Sequence, residues 1–328
     1  MIRSLYRAPD GAIRTDLQTD EFGAMLLDSR GLLRVDFEAT PPESDEPILR
    51  QVFGFHPLAI DDALQQSHVP KVDDWSDYLY VVLHAVVLDR RDRMAVDTLE
   101  LDVFLGKNYL ITHHDQPIDA VEKVWAGCRR DERHLKNGSD HLLYKIADEI
   151  AASYLPVVEE MDDAIDAIEG HIFDRPSPET VEHIFAIKRS VLGLRRILGP
   201  QREVLNKLAR DDYAMIDPKD RVYFRDVYDH LVRMHDITES VRDLVSGALD
   251  TYLSVVNNRM NDIIKTLTII TTLFMPLTFV VGFFGMNFFQ PSTPLDIWTG
   301  APAFVATLVM MFLIPIGMYI WVRRRGWM

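Results

Sequence analysis

The chain has 328 residues, and 48% of its side chains are hydrophobic, which suffices for a soluble domain and additional apolar segments. Its net charge is −15, and the segment from Ile264 onward is basic, so the preceding part is more acidic than the whole chain. This acidity argues against nucleic acid and anionic lipid as partners and suits cations, and the single cysteine, Cys128, excludes an intrachain disulfide.

Residues 1–140 have the pattern of a mixed α/β domain. β-Branched and aromatic runs predict strands at 24–27, 32–35, 79–88, 99–105 and 109–112, and the segments 43–53 and 57–66 predict helices. The first 20 residues lack the apolar run of a secretory signal, so we expect this domain in the cytoplasm. The sequence contains neither a phosphate-binding glycine loop nor a nucleophile elbow, and we do not expect an enzyme.

Helical patterns fill the next part of the chain. Residues 141–220 predict a helical hairpin, with its turn near Pro176 and Pro178. A further helix begins near Arg221 and meets no proline until Pro276, where we expect a local kink. Its apolar residues alternate at steps of four and three, which predicts a coiled-coil-like stalk over residues 221–265. These residues are Val227, Leu231, Met234, Thr238, Val241, Val245, Ala248, Tyr252 and Val255.

Two uncharged runs near the C-terminus predict transmembrane helices. Residues 266–285 and 299–322 are each long enough to cross the ~30 Å hydrocarbon core of a bilayer at ~1.5 Å per residue. Lys265 precedes the first run and a basic tail, residues 323–328, follows the second, whereas the connecting loop, residues 286–298, contains one charge, Asp296. The positive-inside tendency therefore predicts that both termini are cytoplasmic and that the loop faces outward.

One face of the first transmembrane helix is small and weakly polar. Its residues recur at steps of three and four, and they are Asn261, Ile264, Thr268, Thr271, Met275, Thr278, Gly282 and Gly285. A hydroxyl gains nothing by facing acyl chains, so this face belongs against protein or water. Two interpretations fit the pattern: the face packs against the second membrane helix or a neighbouring subunit, or it lines an aqueous path.

The residues that follow this face carry a family resemblance. The segment Met275-Pro276-Leu277-Thr278 and the Gly285-Met286-Asn287 motif at the outer end of the first of two terminal spans closely resemble the CorA family of divalent-cation channels. The resemblance implies a homopentamer in the plasma (inner) membrane that carries magnesium, with cobalt or nickel as alternative ions. It also implies that Gly285, Met286 and Asn287 form the selectivity filter.

The same resemblance suggests residues that line the pore and residues that regulate it. Matching positions place Asn261, Ile264, Leu267, Met275 and Thr278 in the pore, although Leu267 lies beside the polar face; Thr268, Thr271 and Gly282 belong to that face. Regulatory magnesium is expected between subunits, where Asp62 with Asp226 would form a first site and Asp61 with Asp148 a second. Cytoplasmic magnesium held there would keep the pore closed.

Alternatives remain open from the sequence. A zinc or other transition-metal transporter, including a proton-coupled one, would use the same scaffold, and a membrane sensor that transports nothing would use the same stalk. All eleven histidines and the single cysteine precede the membrane hairpin, so soft ligands are missing at the entrance and magnesium is favoured over zinc. The sequence departs from the family in its outer loop, which has one acidic residue, and at Phe284, where a tyrosine is commoner.

Overall fold

The structure is a computed structural model that describes residues 1–65, 69–89, 95–131, 133–174, 176–285 and 300–325. The chain divides into two compact units, Met1–Tyr252 and Leu253–Met328, and each is described by itself. The first unit contains a seven-stranded sheet and most of the helices, and the second contains the apolar C-terminal helices.

The elements are named here in chain order. The strands are β1 (Ile2–Arg7), β2 (Ile13–Thr15), β3 (Leu32–Glu38), β4 (Lys71–Asp74), β5 (Leu79–Asp89), β6 (Ala95–Leu105) and β7 (Tyr109–His114). The shorter helices are α1 (Phe22–Leu27), α2 (Pro42–Pro47), α3 (Pro57–Gln65), α4 (Asp119–Arg130) and α5 (Arg133–Lys136), with a 3₁₀ turn at Thr19–Glu21 and a π turn at Ile48–Val52. The long helices are α6 (Ser139–Asp174), α7 (Pro178–Arg210), α8 (Arg221–Phe284) and α9 (Ala301–Arg324).

The sheet has the strand order β2-β1-β3-β7-β6-β5-β4. Its pairs are antiparallel except β3 with β7, which are parallel with Phe37 opposite His113. The central strands are almost wholly buried, and their apolar residues, such as Val35 and Phe104, form one core with α3. Strands β2 and β4 are the two edges of the sheet, so residues on them are the farthest apart across it.

Most strands and helices predicted for residues 1–140 are confirmed. The predicted strands at 32–35, 79–88, 99–105 and 109–112 lie within β3, β5, β6 and β7. The predicted helix at 57–66 corresponds to α3, and the segment 43–53 is divided between α2 and a π turn. The prediction of a strand at 24–27 is wrong, because these residues belong to α1, whose Phe22 is buried in the core. A four-residue apolar run has no periodicity that separates a strand from a helix turn.

Sequence reasoning missed β1, β2, β4 and α4. Strand β1 has polar residues at Arg3, Ser4 and Arg7, and it is held by pairing with β3 on one side and β2 on the other. Its partner residues lie up to 35 positions away, as for Ile2 opposite Phe37. Such pairing is decided by the tertiary structure, not by the local pattern.

The apolar seam predicted on the stalk is buried within the chain. From Val227 to Ala248 each of its residues has at most 6% of its surface exposed. Val245 and Ala248 lie beside apolar residues of α6 and α7, including Ile165 and Ile187, so these three helices pack together in one subunit. The hydroxyl of Tyr252 donates to the carbonyl of Ser177 at 3.2 Å, near the end of this seam. A spacing of three and four predicts a buried face, but not whether the partner is the same chain or another.

Candidate functional site

Two helices have the length and apolar composition needed to cross a membrane. The apolar windows of α8 and α9 have mean hydropathies of 1.9 and 2.2, and neither window is buried by the chain. Large side chains stand exposed on both helices, with Phe279 73% and Phe304 67% exposed. So much apolar surface is stable only against lipid or other subunits, which fits the predicted transmembrane hairpin.

The membrane part of α8 has one face that its own chain partly covers. The partly buried residues are Ile269, Leu273, Pro276, Leu277 and Val280, at helical spacing. Helix α9 has a matching stripe, which consists of Ala303, Thr307, Met311, Ile314, Pro315 and Met318. Both stripes lie in the same compact unit.

The small, weakly polar face of α8 points elsewhere. Its residues from Asn261 to Gly282 are exposed within the chain. At 3.6 residues per turn, the centre of this face lies roughly 150° around the helix from the partly buried stripe. The first interpretation from the sequence, in which this face packs against the chain's own second membrane helix, therefore does not hold. A neighbouring subunit or water remains.

Three threonines on or near this face already use their hydroxyl hydrogens. Thr268, Thr271 and Thr278 donate to the carbonyls four residues earlier, at 2.8, 2.9 and 3.0 Å respectively. Thr266 and Thr307 bond in the same way. With its hydrogen engaged, each hydroxyl presents oxygen lone pairs outward. Such acceptors match the water molecules around a hydrated cation, which direct their hydrogens away from the ion.

Helix α8 ends next to the predicted filter. The amide of Gly285 donates to the carbonyl of Val281 at 2.8 Å, and a Cβ at Gly285 would lie 2.9 Å from the same oxygen. Only glycine fits there without a shift of the backbone. Met286 and Asn287, the remaining predicted filter residues, lie outside the described residues.

The predicted regulatory residues Asp61 and Asp62 lie on α3. The helix begins at Pro57, and the ring of His56 caps it by accepting from the Leu58 amide through Nδ1 at 3.2 Å. The same ring stacks on Trp75 with centroids 4.2 Å apart. The contacts of His56 thus fix the start of the helix that presents both carboxylates.

The other two predicted regulatory residues interact through their charges. Asp148 is a half-buried residue of α6, and Asp226 is an exposed residue of α8 in the same unit. Burial raises the pKa of the Asp148 carboxyl, and the charges of Glu149 and Asp226 act in the same direction, whereas Lys145 and His230 oppose them. Two carboxylates that repel each other fit a divalent cation, because a bound ion relieves the repulsion. The pairings of Asp226 with Asp62 and of Asp148 with Asp61 across subunits remain predictions.

A compact acidic group that the sequence did not indicate lies at one side of the sheet. Oxygens of Asp36, Glu38 and Glu122 lie within 4.8 Å of one another. Arg3 occupies this group, with its guanidinium 2.8 Å from Asp36 and 3.0 Å from Glu122. Burial raises the pKa of Asp36, but hydrogen bonds from His114 and Thr112 and the charge of Arg3 prevail and hold it at about 2. The group is a structural ion-pair network that joins β1, β3 and α4.

A second buried polar group surrounds a cavity of about 80 Å³. His113 lies between two carboxylates, with Nε2 3.5 Å from Asp45 and Nδ1 3.9 Å from Asp102. The two ring nitrogens face different oxygens, an arrangement that suits a charged imidazolium better than a metal held at one point. Burial lowers the pKa of His113, but both carboxylates raise it to about 9, and burial raises the pKa of Asp102 to about 6.

Comparison with known proteins agrees with the fold. The chain matches the family described as CorA-like Mg2+ transporter protein over residues 31–324. It is 36% identical over 280 residues to the cobalt/magnesium transport protein CorA of Thermotoga maritima, covering 85% of this chain and 78% of that protein. It is 26% identical over 332 residues to the cobalt/magnesium transport protein CorA of Methanocaldococcus jannaschii, covering 100% of both chains.

A solved structure supports the same conclusion at the level of the fold. The complete structure of the CorA magnesium transporter from Methanocaldococcus jannaschii aligns with a TM-score of 0.83 at 22% identity, covering 99% of this chain and 98% of that chain. The predicted α/β domain, long helix and two C-terminal apolar helices are confirmed. The chain therefore belongs to the CorA-like Mg2+ transporter family, whose members transport divalent cations and are not enzymes.

Proposed function

We propose that the chain forms a homopentameric channel for hydrated Mg2+, with Co2+ and Ni2+ as further ions, in the plasma (inner) membrane with both termini cytoplasmic. The observation that carries the proposal is the polar face of α8, which points away from the stripe covered by the chain itself. Two membrane helices cannot enclose a pore, so several copies must bring these faces together around one axis. Membership of a divalent-cation transporter family supports the same arrangement.

The proposed pore accepts magnesium without removing its water. Magnesium gives up its hydration shell reluctantly, so a wall of acceptor oxygens suits it better than a cage of carboxylates. The hydroxyls of Thr268, Thr271 and Thr278 and the amide of Asn261 would contact the hydrated ion. At the outer end, the carbonyls of Gly285 and Met286 and the amide of Asn287 would form the filter, where the negative ends of the α8 dipoles attract cations.

Apolar residues on the same side would form the gate. Ile264, Leu267 and Met275 are 53%, 62% and 66% exposed within the chain. A ring of such side chains closes a narrow pore by excluding water, and a small increase in radius lets water and ions enter. The gate therefore lies on the same helix as the proposed regulatory residue Asp226.

The first compact unit, Met1–Tyr252, is the soluble unit, and it would regulate this gate through its carboxylates. Asp62 with Asp226 and Asp61 with Asp148 would hold magnesium between neighbouring subunits. The ion would supply positive charge to groups that otherwise repel, which keeps the subunits together and the pore closed. Magnesium binds such sites through few carboxylates and retained water, so sensing in the millimolar range is expected.

Magnesium uptake into liposomes containing the purified full-length protein tests the proposal. We expect uptake at low internal magnesium and suppression at ~10 mM, the range of weak carboxylate–water coordination. Asn287→Ala should abolish uptake, and Thr266→Ala, at an exposed residue on the opposite side of α8 from the polar face, should not. Asp226→Ala should remove the suppression, and the neighbouring exposed Asp229→Ala should retain it.

The same assay separates the competing functions. Zinc flux without magnesium flux would contradict the proposal and support a zinc transporter on the same scaffold. Absence of flux for magnesium, cobalt, nickel and zinc in a correctly assembled protein would support a sensor that transports nothing. A native molecular mass other than that of five chains would contradict the pentamer.

A further inference from the structure

One of the proposed regulatory carboxylates already has a cation beside it. The ammonium of Lys71 on β4 forms an ion pair with Asp62 and lies 3.0 Å from Oδ2 of Asp73. It also lies 5.1 Å from the centre of the Tyr80 ring. The Lys71 side chain is 29% exposed, compared with 44% for Asp62 and 43% for Asp73.

The sheet fixes the position of this ammonium. Lys71 and Asp73 are two residues apart on β4, so their side chains share one face of the strand. Asp73 lies directly opposite Tyr80 in the pairing of β4 with β5, which places the ring under the lysine. An ammonium that is ion-paired with two carboxylates carries its full positive charge at neutral pH.

The two halves of the proposed first regulatory site thus differ. Asp226 is exposed and forms no ion pair within the described part of the chain, so its carboxylate is open to a divalent cation. Asp62 already has a cationic partner in Lys71 of the same chain. A lysine within the chain neutralises the carboxylate without joining two subunits, so it cannot replace the bridging role proposed for magnesium.

We infer that Lys71 is a tethered cation that competes with magnesium for the Asp62 carboxylate and so sets the magnesium concentration at which the channel closes. The inference rests on the proposed regulation by magnesium and deepens it. A unit positive charge several ångströms away, in a largely aqueous setting, lowers the affinity of a site for a divalent ion by a factor of roughly three to ten. Removing the charge should therefore lower the closing concentration by about the same factor.

A simpler role for Lys71 predicts a different result. Strand β4 is an edge of the sheet, and lysines on edge strands commonly prevent association with other strands. In that case, loss of the charge would promote aggregation and leave the magnesium dependence unchanged. The matched control is Arg14→Met, because Arg14 is also ion-paired, to Glu21, and lies on the opposite edge strand β2. Six strand spacings of ~4.8 Å separate the two edges, beyond the ~10 Å Debye length at 0.1 M salt.

Limited proteolysis of the full-length protein in detergent, titrated with magnesium chloride, tests the inference without using flux. We expect the midpoint of magnesium protection to fall roughly three- to tenfold in Lys71→Gln and to stay unchanged in Arg14→Met and in Lys71→Arg, which keeps the charge. Size-exclusion chromatography and circular dichroism would establish that each variant is assembled and folded.

The outcomes distinguish this inference from the proposed function. Protection of the native protein with the same midpoint in Lys71→Gln would overturn the role of Lys71 and leave magnesium regulation intact. Absence of magnesium protection in the native protein, together with uptake that internal magnesium does not suppress, would overturn the regulation and the role of Lys71 with it. A midpoint of magnesium protection that is lower in Lys71→Gln and unchanged in the control variants would support both the magnesium regulation and the role of Lys71.

Discussion

The two compact units place their large aromatic residues in opposite surroundings. In Met1–Tyr252, Phe37 and Phe104 are 0% exposed and belong to one continuous core. In Leu253–Met328, Phe279 and Phe304 are exposed, and the apolar windows of both helices are unburied. The first unit completes its core with its own chain, whereas the second leaves its apolar surface to be covered from outside the chain.

The units also differ in how they satisfy polar groups. The first unit buries charged side chains in matched networks, such as Asp36 with Arg3 and His114. The second unit bonds its threonine hydroxyls to the backbone of the same helix, as Thr271 does with Leu267. A helix inside a bilayer has no water to satisfy exposed groups, so bonds within the helix are the available solution. Networks that join distant segments therefore belong to the soluble unit.

The largest expected difference is in the free energy of unfolding when a phenylalanine is replaced by alanine in one unit or in the other. Phe104→Ala should lower the free energy of unfolding of the soluble unit by about 3–5 kcal/mol, because it leaves a cavity in a core where Phe104 stacks on Phe55 at 4.2 Å. Phe279→Ala should change this free energy by less than about 0.5 kcal/mol. Urea denaturation of the detergent-solubilised protein, followed by circular dichroism, measures both. Similar losses for the two variants would contradict the division into independent units.

A pH dependence should arise from the buried group around His113. The pKa of His113 is raised from 6.5 to about 9, so its stabilisation is complete below pH 6.5 and is lost as the pH rises through 9. The pKa of Asp102 is raised to about 6, and its contribution is likewise lost as the pH rises. The pKa of Asp36 is lowered to about 2, so its contribution is lost only in strong acid and stays constant between pH 6 and 9.

We therefore expect the soluble unit to lose on the order of 2–3 kcal/mol between pH 6 and pH 9, or roughly 5–10 °C in melting midpoint. Thermal unfolding at the two pH values measures the loss. His113→Gln should reduce the dependence and leave the part that arises from His114. Burial lowers the pKa of His114, but Asp36 outweighs burial and raises it. The exposed His171→Gln should leave the dependence unchanged. An undiminished loss in His113→Gln would place its origin elsewhere in the chain.

A smaller effect is expected at the end of α8, before the proposed filter, where a substitution should change transport and leave the stability of the soluble unit unchanged. A methyl group at Gly285 would lie 2.9 Å from the carbonyl of Val281, so Gly285→Ala should displace the proposed filter and reduce magnesium uptake about tenfold. Gly317 lies inside α9, where a methyl group would meet no atom within 4 Å other than the neighbouring backbone of its own helix, so Gly317→Ala is the control. Uptake into liposomes gives the comparison, and equal uptake by both variants would show that the turn tolerates a side chain.

The smallest expected effect concerns the start of α7. The Ser177 hydroxyl accepts from the Thr180 amide at 3.3 Å and caps the helix. Ser177→Ala should therefore cost about 1 kcal/mol of unfolding free energy in the soluble unit and leave uptake unchanged. Ser44→Ala, at an exposed residue of α2, is the comparison, and urea denaturation of the two variants would reveal whether the cap contributes.

The sequence by itself determined the features that consist of contiguous residues. Each of these features can be recognised within one continuous segment of the sequence. They are the apolar runs at 266–285 and 299–322, the helical patterns of α6 to α8 and the Gly285-Met286-Asn287 motif. Length and period are local properties, so the long helix, the membrane hairpin and the family could be predicted without a structure. The aspartates of the proposed regulatory sites came from the family resemblance, and their pairing across subunits remains a prediction.

Only the tertiary structure determined which residues from separate elements are in contact. The ion pair of Lys71 with Asp62, the contacts of Arg3 with Glu122 and the placement of His113 between Asp45 and Asp102 join residues from separate elements. The apolar seam of α8 could be predicted from its periodicity, but only the structure showed that α6 and α7 of the same chain cover it. Periodicity specifies that a face is buried, and long-range packing selects its partner, because many apolar surfaces would satisfy the same pattern.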